Sequence, residues 1–457
     1  MEDAEIRDIM VNVDKLLAAS SQFKAQRIRW SLTSTTNTIK NEEVALHISL
    51  IGKSGAPISS ATLLPQSTVL EVLYNSDLFE SDHEANSRTV ETVLFEKLQE
   101  IFAEELSMIT HIMASNPGYS QLAQSQSTAL GDKLEPTELT QKLAGRRTRS
   151  LKYAPTYHIS ISLFSPGAVP KTWDIEAAIL EYLTPLLQSF STSNFTVDTQ
   201  LQLYASFSPT MNPPEYDSTT QQWTLREEDL SSFINPAEWP LSPNIGDGPT
   251  INFVLYIPEE TQRPLVVKGS SASSWIVPQW GGISILNPVG SVGDHLPKDQ
   301  IRPALLTFSH QLLSLLGASD SIASFRLQIQ TLTRLHAISL MLSASSTLGS
   351  LAKLSESLST IPIPDHVLSR VQRGLSHLEK TCASLQTGNV REALEHARLA
   401  KAEAEKAFFE KDMVSQVYFP DEHKVAVYLP LLGPMGVTLL TSLFREVKRR
   451  RATVKAG

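Results

Sequence analysis

Apolar side chains recur along the chain with two periods and, near its end, with no interruption at all. Val44, Leu46, Ile48 and Leu50 alternate with smaller or polar neighbours, the period of two expected of a half-buried strand over 43–51. Leu94, Leu98, Phe102, Leu106, Ile109 and Met113 recur every three or four residues, which predicts a long helix stopped by Asn116, Pro117 and Gly118. Residues 116–152 lose both periods, carry Gln and Ser repeats with the basic stretch Arg146, Arg147 and Arg149, and read as a loop. A clearer unit spans 156–204. Tyr157, Ile159, Ile161 and Leu163 form a strand pattern, Ile175, Ile179, Tyr182 and Leu186 a helix, and Phe195, Val197, Leu201 and Leu203 a second strand. Strand, helix and strand in this order predict a crossover unit over one sheet. Further strands are expected at 251–257, 265–267 and 283–286.

Beyond residue 300 the alternation disappears. Helices are expected at 301–316, through Phe325, Ile329, Leu332, Leu335, Ile338 and Leu342, and, after IPIP at 361–364, along the apolar stripe Val367, Val371, Leu375, Leu378, Cys382 and Leu385. Gly388 suits a C-cap, and Asn389 with Glu392 reads as a capping box that opens a further helix towards Phe409.

From Val425 to Phe444 the chain runs VAVYLPLLGPMGVTLLTSLF, twenty residues without a charge. A helix of that length, rising about 1.5 Å per residue, crosses a hydrocarbon core of about 30 Å. Pro430 and Pro434 would break a soluble helix, but membrane helices tolerate proline, and Gly433 and Gly436 invite close packing. Arg445, Lys448, Arg449, Arg450 and Arg451 follow the run, whereas Asp421, Glu422, His423 and Lys424 precede it. By the positive-inside rule the tail is cytosolic and residues 1–424 are lumenal or extracellular. The opening MEDAEIRDIMVNVDKLLAAS contains no apolar segment that could carry the chain across a membrane, so a missing N-terminal segment, as in a truncated gene, is expected.

The organisation expected is an N-terminal segment at 1–40, then an α/β lumenal domain at 41–300 with a mixed sheet and crossover helices. A helical region at 301–420, one transmembrane helix at 425–444 and a basic tail at 445–457 complete it. Composition narrows the function. A net charge of −9 argues against nucleic acid as the main partner. One cysteine among 457 residues permits no intrachain disulfide and no Cys-based zinc site.

Candidate chemistry is sparse. Gly52-Lys53-Ser54 follows a strand, but the phosphate loop needs a glycine where His47 stands, so a surface turn is the better account. Cys382 lies on the apolar stripe and is expected to pack as a small hydrophobe, with His377 on a different face. His47 and His158 occupy equivalent positions on the polar side of their strands and are expected to be satisfied sheet histidines. HExxH, GxSxG and GxGxxG are absent. No catalytic, cofactor-binding or metal-binding residue is therefore assigned. Asn194-Phe195-Thr196 is the sole N-glycosylation sequon and lies where a helix gives way to a strand. Trp275, Pro278, Trp280, Gly281 and Gly282 form either a contact surface for a partner or a loop packed on its own domain.

Several segments in order resemble the PIG-S subunit of the glycosylphosphatidylinositol (GPI) transamidase. They are WDIE at 173–176, NFTVDTQ at 194–200, INP at 234–236, PQWGGI at 278–283, and YFPDEHK leading into YLPLLGPMGV. The resemblance covers about residues 40 to 450 and implies a lumenal domain held between two membrane helices of the endoplasmic reticulum. It also implies a non-catalytic, cofactor-free subunit that supports assembly and substrate positioning while GPI anchors are attached to proproteins. The implied partners are the caspase-like catalytic PIG-K subunit with its Cys/His pair, PIG-T, PIG-U, the GPI-anchor attachment subunit and membrane lipids. Family members carry a first membrane helix that this chain departs from at its start. Two rival readings stay open, a membrane-anchored lumenal hydrolase and a tail-anchored cytosolic adaptor.

Overall fold

The structure is a computed structural model and describes residues 3–20, 46–54, 60–64, 68–76, 83–114, 145–190, 193–205, 212–234, 248–269, 272–288, 290–318, 325–357, 363–411 and 421–455. The chain forms two compact units, Met1–Leu340 with Lys380–His396, and Met341–Glu379 with Ala397–Gly457.

The first unit opens with helix α1 (Asp3–Ala19), which the hydropathy reading passed over. Ile9, Val13 and Leu17, four residues apart, are its buried side. Strands β1 (His47–Lys53), β2 (Ser60–Leu63) and β3 (Val69–Asn75) follow, with β3 central, parallel to β1 and antiparallel to β2. Residues 43–45 of the first predicted strand lie outside the described residues. The long predicted helix is α2 (His83–Ala114), and its Val90, Leu94, Leu98 and Leu106 join Leu70, Val72 and α1 in one core.

A second, larger sheet carries the crossover unit. Strand β4 (Thr156–Ser165) leads through β5 (Thr172–Trp173) to helix α3, in which Ile175–Ala178, a π turn at Ile179–Leu183 and Thr184–Ser189 run continuously. Pro185 lies inside this continuous helix, just after the π turn, and contributes no N–H to it. The chain returns as β6 (Asn194–Leu203), parallel to β4 over its whole length. Strands β7 (Glu215–Asp217), β8 (Gln222–Leu225), β9 (Thr250–Tyr256), β10 (Leu265–Val267), β11 (Ser274–Val277), β12 (Gly281–Ile285) and β13 (His295–Leu296) complete the set. The five-stranded order is β11-β12-β9-β4-β6, parallel except for β11.

Both faces of this sheet are covered in part. Helix α4 (Lys298–Leu316) and α3 pack on one face, where Ile159, Ile161, Phe253 and Phe308 are buried. On the other, Phe164, Val254 and Tyr256 meet Leu225, Leu265 and Phe233. Burial of this kind supplies about 25 cal/mol per Å² of apolar surface.

Helices α5 (Phe325–Ser357), α6 (Asp365–Thr387) and α7 (Val390–Phe408) each pass from one unit into the other. Gly388 takes φ +85 as the predicted cap residue. The Asn389 side-chain oxygen accepts the Glu392 N–H at 3.3 Å, and its amide donates to the Glu392 carboxylate at 2.9 Å. In the second unit Ala344, Leu348, Ala400 and Ala404 form one small core and Leu351, Val367 and Ala407 another.

The stripe proposed for α6 needs correction. Cys382 is exposed, and so are Leu368 and Leu375, at 53% and 49%. Val367 is buried, and Val371 and Leu378 pack in part against the small cores of the second unit as the stripe expects, while small residues, Gly374, Thr381 and Ser384, take the other buried positions. A second correction concerns the predicted loop. Residues 145–149 form a helical turn, and Arg146 is buried against Glu104 of α2.

Helix α8 (Asp421–Lys455) contains the uncharged run. From Val427 to Phe444 its large apolar side chains are exposed, between 47% at Val427 and 71% at Phe444. Ala426–Arg449 is long and apolar enough to cross a membrane. α5 is also long and apolar enough, and its Leu327, Leu332, Ala337 and Ala344 are buried within the protein.

Candidate functional site

The tryptophan and glycine motif forms the turn between β11 and β12. Val277 pairs with Gly281 and Ile276 with Gly282, leaving Pro278 and Gln279 exposed at the tip. Gln279 anchors that tip, its main-chain N–H donating to the Arg149 carbonyl and its side-chain amide to the Thr148 carbonyl. The glycines themselves are buried within their own domain. A Cβ on Gly281 would lie 1.8 Å from the Asn252 carbonyl oxygen, and one on Gly282 would lie 2.0 Å from Oε1 of Gln311. The close approach they permit is to their own chain. Gln311 of α4 uses that space to donate to the carbonyls of Trp275 and Ile283 at 3.0 and 3.3 Å. Trp275 and Trp280 are half-buried, and Trp275 meets Phe233 edge-on with ring centroids 5.2 Å apart.

Asn194 opens β6 and is exposed, so its side chain is accessible for glycan addition. His158, two residues along β4 and opposite Thr196, is satisfied at one ring nitrogen only. Its Nδ1 lies 2.5 Å from the Thr196 hydroxyl, while Nε2, like Ser160 Oγ and Thr250 Oγ1, is buried without a partner. The expectation of a satisfied histidine therefore holds in half. Burial, with the nearby Arg326 charge, lowers the pKa of His47 below its ordinary value. Gly52 is the next-to-last residue of β1, where the Tyr74 ring lies 2.9 Å from any added Cβ, a packing reason for that glycine. Residues 55–59 lie outside the described residues.

One cluster has the connectivity of a nucleophile, a base and an orienting acid. Thr172 Oγ1 lies 3.0 Å from His295 Nδ1, and His295 Nε2 lies 3.1 Å from Asp174 Oδ2. Sequence spacing missed it because β5 and β13 bring together residues more than a hundred positions apart. His295 and Asp174 side chains are 51% and 44% exposed, on a two-residue strand pair. Catalysis of this type draws most of its rate from preorganised donors in a water-excluded cleft, and this cluster stands in open solvent. The interior cavity lined by Tyr153, Tyr157, Phe195, Leu332 and His336 measures about 10 Å³, room for one water. Among the described residues no group of three or more His, Cys, Asp or Glu side chains could hold a metal ion.

Two acidic residues at consecutive positions of α2 hold this unit together. Glu104 pairs with Arg146, and Glu105 receives Nε and Nη2 of Arg334 at 2.6 and 2.8 Å with the Thr331 hydroxyl at 3.0 Å. Although burial pulls the Arg334 pKa down, the Glu105 carboxylate raises it above its ordinary value. In α8 the Thr438 and Thr441 hydroxyls donate to the carbonyls of Met435 and Val437, so these two hydroxyls are satisfied within the helix.

Comparison with known proteins places these features. The family model described as phosphatidylinositol-glycan biosynthesis class S protein matches residues 2–453. A GPI-anchor transamidase component PIGS of Bos taurus is 31% identical over 346 residues, which is 69% of this chain and 61% of that protein. The GPI transamidase component PIG-S homolog of Schizosaccharomyces pombe is 29% identical over 71% of this chain and 58% of its own length. GPI transamidase component GPI17 of Saccharomyces cerevisiae is 27% identical over 70% and 64%. The chain thus spans about 60% of the length of the curated relatives it matches.

Proposed function

Because the chain belongs to the phosphatidylinositol-glycan biosynthesis class S family, we propose that it is a non-catalytic component of a GPI transamidase in the membrane of the endoplasmic reticulum. The family match over residues 2–453 carries this reading. α8 holds the chain in the bilayer, with Arg445, Lys448 and Arg449 at its cytosolic end and the folded domains in the lumen. Residues 41–300 and 301–420 present surfaces to the other subunits. PIG-K carries the catalytic Cys/His pair, and PIG-T, PIG-U and the GPI-anchor attachment subunit complete the complex. This chain's contribution is assembly and placement of the proprotein near the lipid substrate, which needs rigid surfaces rather than activated side chains.

The test is co-purification from the native membrane in mild detergent. Recovery of the chain together with the caspase-like subunit is expected, and recovery without it would refute the reading. Turnover of an anchor-signal peptide by the purified chain alone, abolished in Thr172→Val, would replace it with a hydrolase.

A further inference from the structure

We propose that the outer edge of β6 is a strand-addition site, where an extended segment of another subunit, apolar at alternate positions, pairs with the central sheet. This rests on reading the chain as one component of a multi-chain enzyme. β6 is the end strand of the five-stranded sheet and is ten residues long. Proteins ordinarily shorten, bulge or charge such an edge, with Lys and Pro as frequent guards. The sequence NFTVDTQLQL contains neither residue and a single charge, Asp198.

The ladder fixes which backbone groups face outward. The Asn194 N–H donates to the Pro155 carbonyl at 2.8 Å, with Asn194 opposite Thr156 in parallel register. Even-numbered residues of β6 therefore bond to β4, and Phe195, Val197, Thr199 and Leu201 turn N–H and C=O away from it. Those four N–H groups donate to no other group among the described residues.

The side chains define the occupant. Phe195, Val197 and Leu201 lie on the helix-covered face and pack only partly against its core, so an apolar row stops unfinished at the edge. A strand with apolar residues at every second position would continue that row and use the outward backbone groups, which a helix could not. A second copy of this chain fits less well. Antiparallel self-pairing about Thr199 makes the two Asp198 carboxylates diagonal neighbours. A glycan on Asn194 would leave from the even-numbered face and spare the apolar row.

The experiment replaces the native chain with Thr199→Pro or Thr199→Val and recovers each from the membrane in mild detergent. Thr199 does not bond to β4, so proline there removes an outward donor and spares the sheet. A photo-reactive residue placed at Thr199 in otherwise unchanged protein reports directly on what lies against the edge. The proposal predicts that Thr199→Pro lowers recovery of transamidase subunits about tenfold, that Thr199→Val leaves it unchanged, and that the photo-adduct contains one other subunit. Unchanged recovery with Thr199→Pro at wild-type protease resistance overturns it, as does an adduct to a second copy or no protein adduct. The last two decide the matter even if Thr199→Pro fails to fold. A wild-type chain that recovers no transamidase subunit defeats instead the reading of the chain as a component.

Discussion

Replacing Arg334 with methionine should destabilise the first unit severely, although neither Arg334 nor Glu105 is near any candidate site. The Glu105 side chain is 4% exposed and that of Arg334 17%. The guanidinium makes two hydrogen bonds to the carboxylate, and Thr331 makes the third. Arg334→Met leaves Glu105 with the Thr331 hydroxyl alone, a buried charge without a counter-ion. Breaking such a pair costs about 3–5 kcal/mol, and the partial exposure of Arg334 favours about 3. Against a total stability of roughly 5–15 kcal/mol this is a large share. At about 2 °C per kcal/mol for a large domain, Tm should fall by roughly 6 °C. Glu105→Leu with Arg334→Met removes both charges and should recover most of the loss, because two apolar side chains of similar volume are often neutral replacements. The assay is thermal unfolding of the detergent-solubilised chain, wild type, both single variants and the double. A single-variant shift below about 2 °C, or a double variant worse than the sum of the singles, would refute the reasoning.

Three further outcomes follow. His336 is lowered to a pKa of about 4 by burial, despite a hydrogen bond to the Leu316 backbone, whereas its unfolded value is 6.5. The unfolded chain therefore takes up the proton first, and stability should fall between pH 6.5 and 4, by up to about 3 kcal/mol before discounting for a partly exposed ring; melting curves of His336→Gln should lack that component. Gly281→Ala should cost more than Gly282→Ala, because a Cβ on the first strikes the Asn252 backbone and one on the second a movable Gln311 side chain. Gly282→Ala should cost about 1–3 kcal/mol and be partly rescued by Gln311→Ala, read by urea unfolding. Glycosidase should increase the gel mobility of the wild-type protein made in its native host but not that of Asn194→Gln; an unchanged wild type would contradict a lumenal position for Asn194.

The parts legible in the sequence were mainly those where one face is buried and the other is not. β6 and α2 show clean periods because their apolar neighbours lie mainly on one side, β4 alternates apolar residues with Ser160 and Ser162 although both its faces are buried, and the cap at Asn389 is local chemistry that needs no tertiary knowledge. α1 was legible too, through the four-residue spacing of Ile9, Val13 and Leu17. α6 misled for a physical reason. Hydropathy ranks leucine above glycine and threonine, whereas close helix packing selects small residues, so Leu375 and Cys382 are exposed and Gly374 and Thr381 are buried. The Thr172, His295 and Asp174 cluster and the Glu105 to Arg334 pair join distant positions, and no local pattern announces either.

The glycine pair illustrates how a chain's own packing can dictate a residue type. Where the Asn252 backbone and Gln311 press on β12, only glycine fits, so the requirement comes from this chain's own packing. Surfaces impose weaker constraints on sequence, since many side chains can cover a partner. β4, neighbour of the edge strand β6, pairs on one side with all ten residues of β6 and on the other with seven residues of β9, so the edge is held by the centre of the sheet. A rigid edge loses little freedom on binding, which favours affinity even for a narrow contact. For a subunit whose work is to position others, that combination of a fixed backbone and permissive side chains is what strand addition requires.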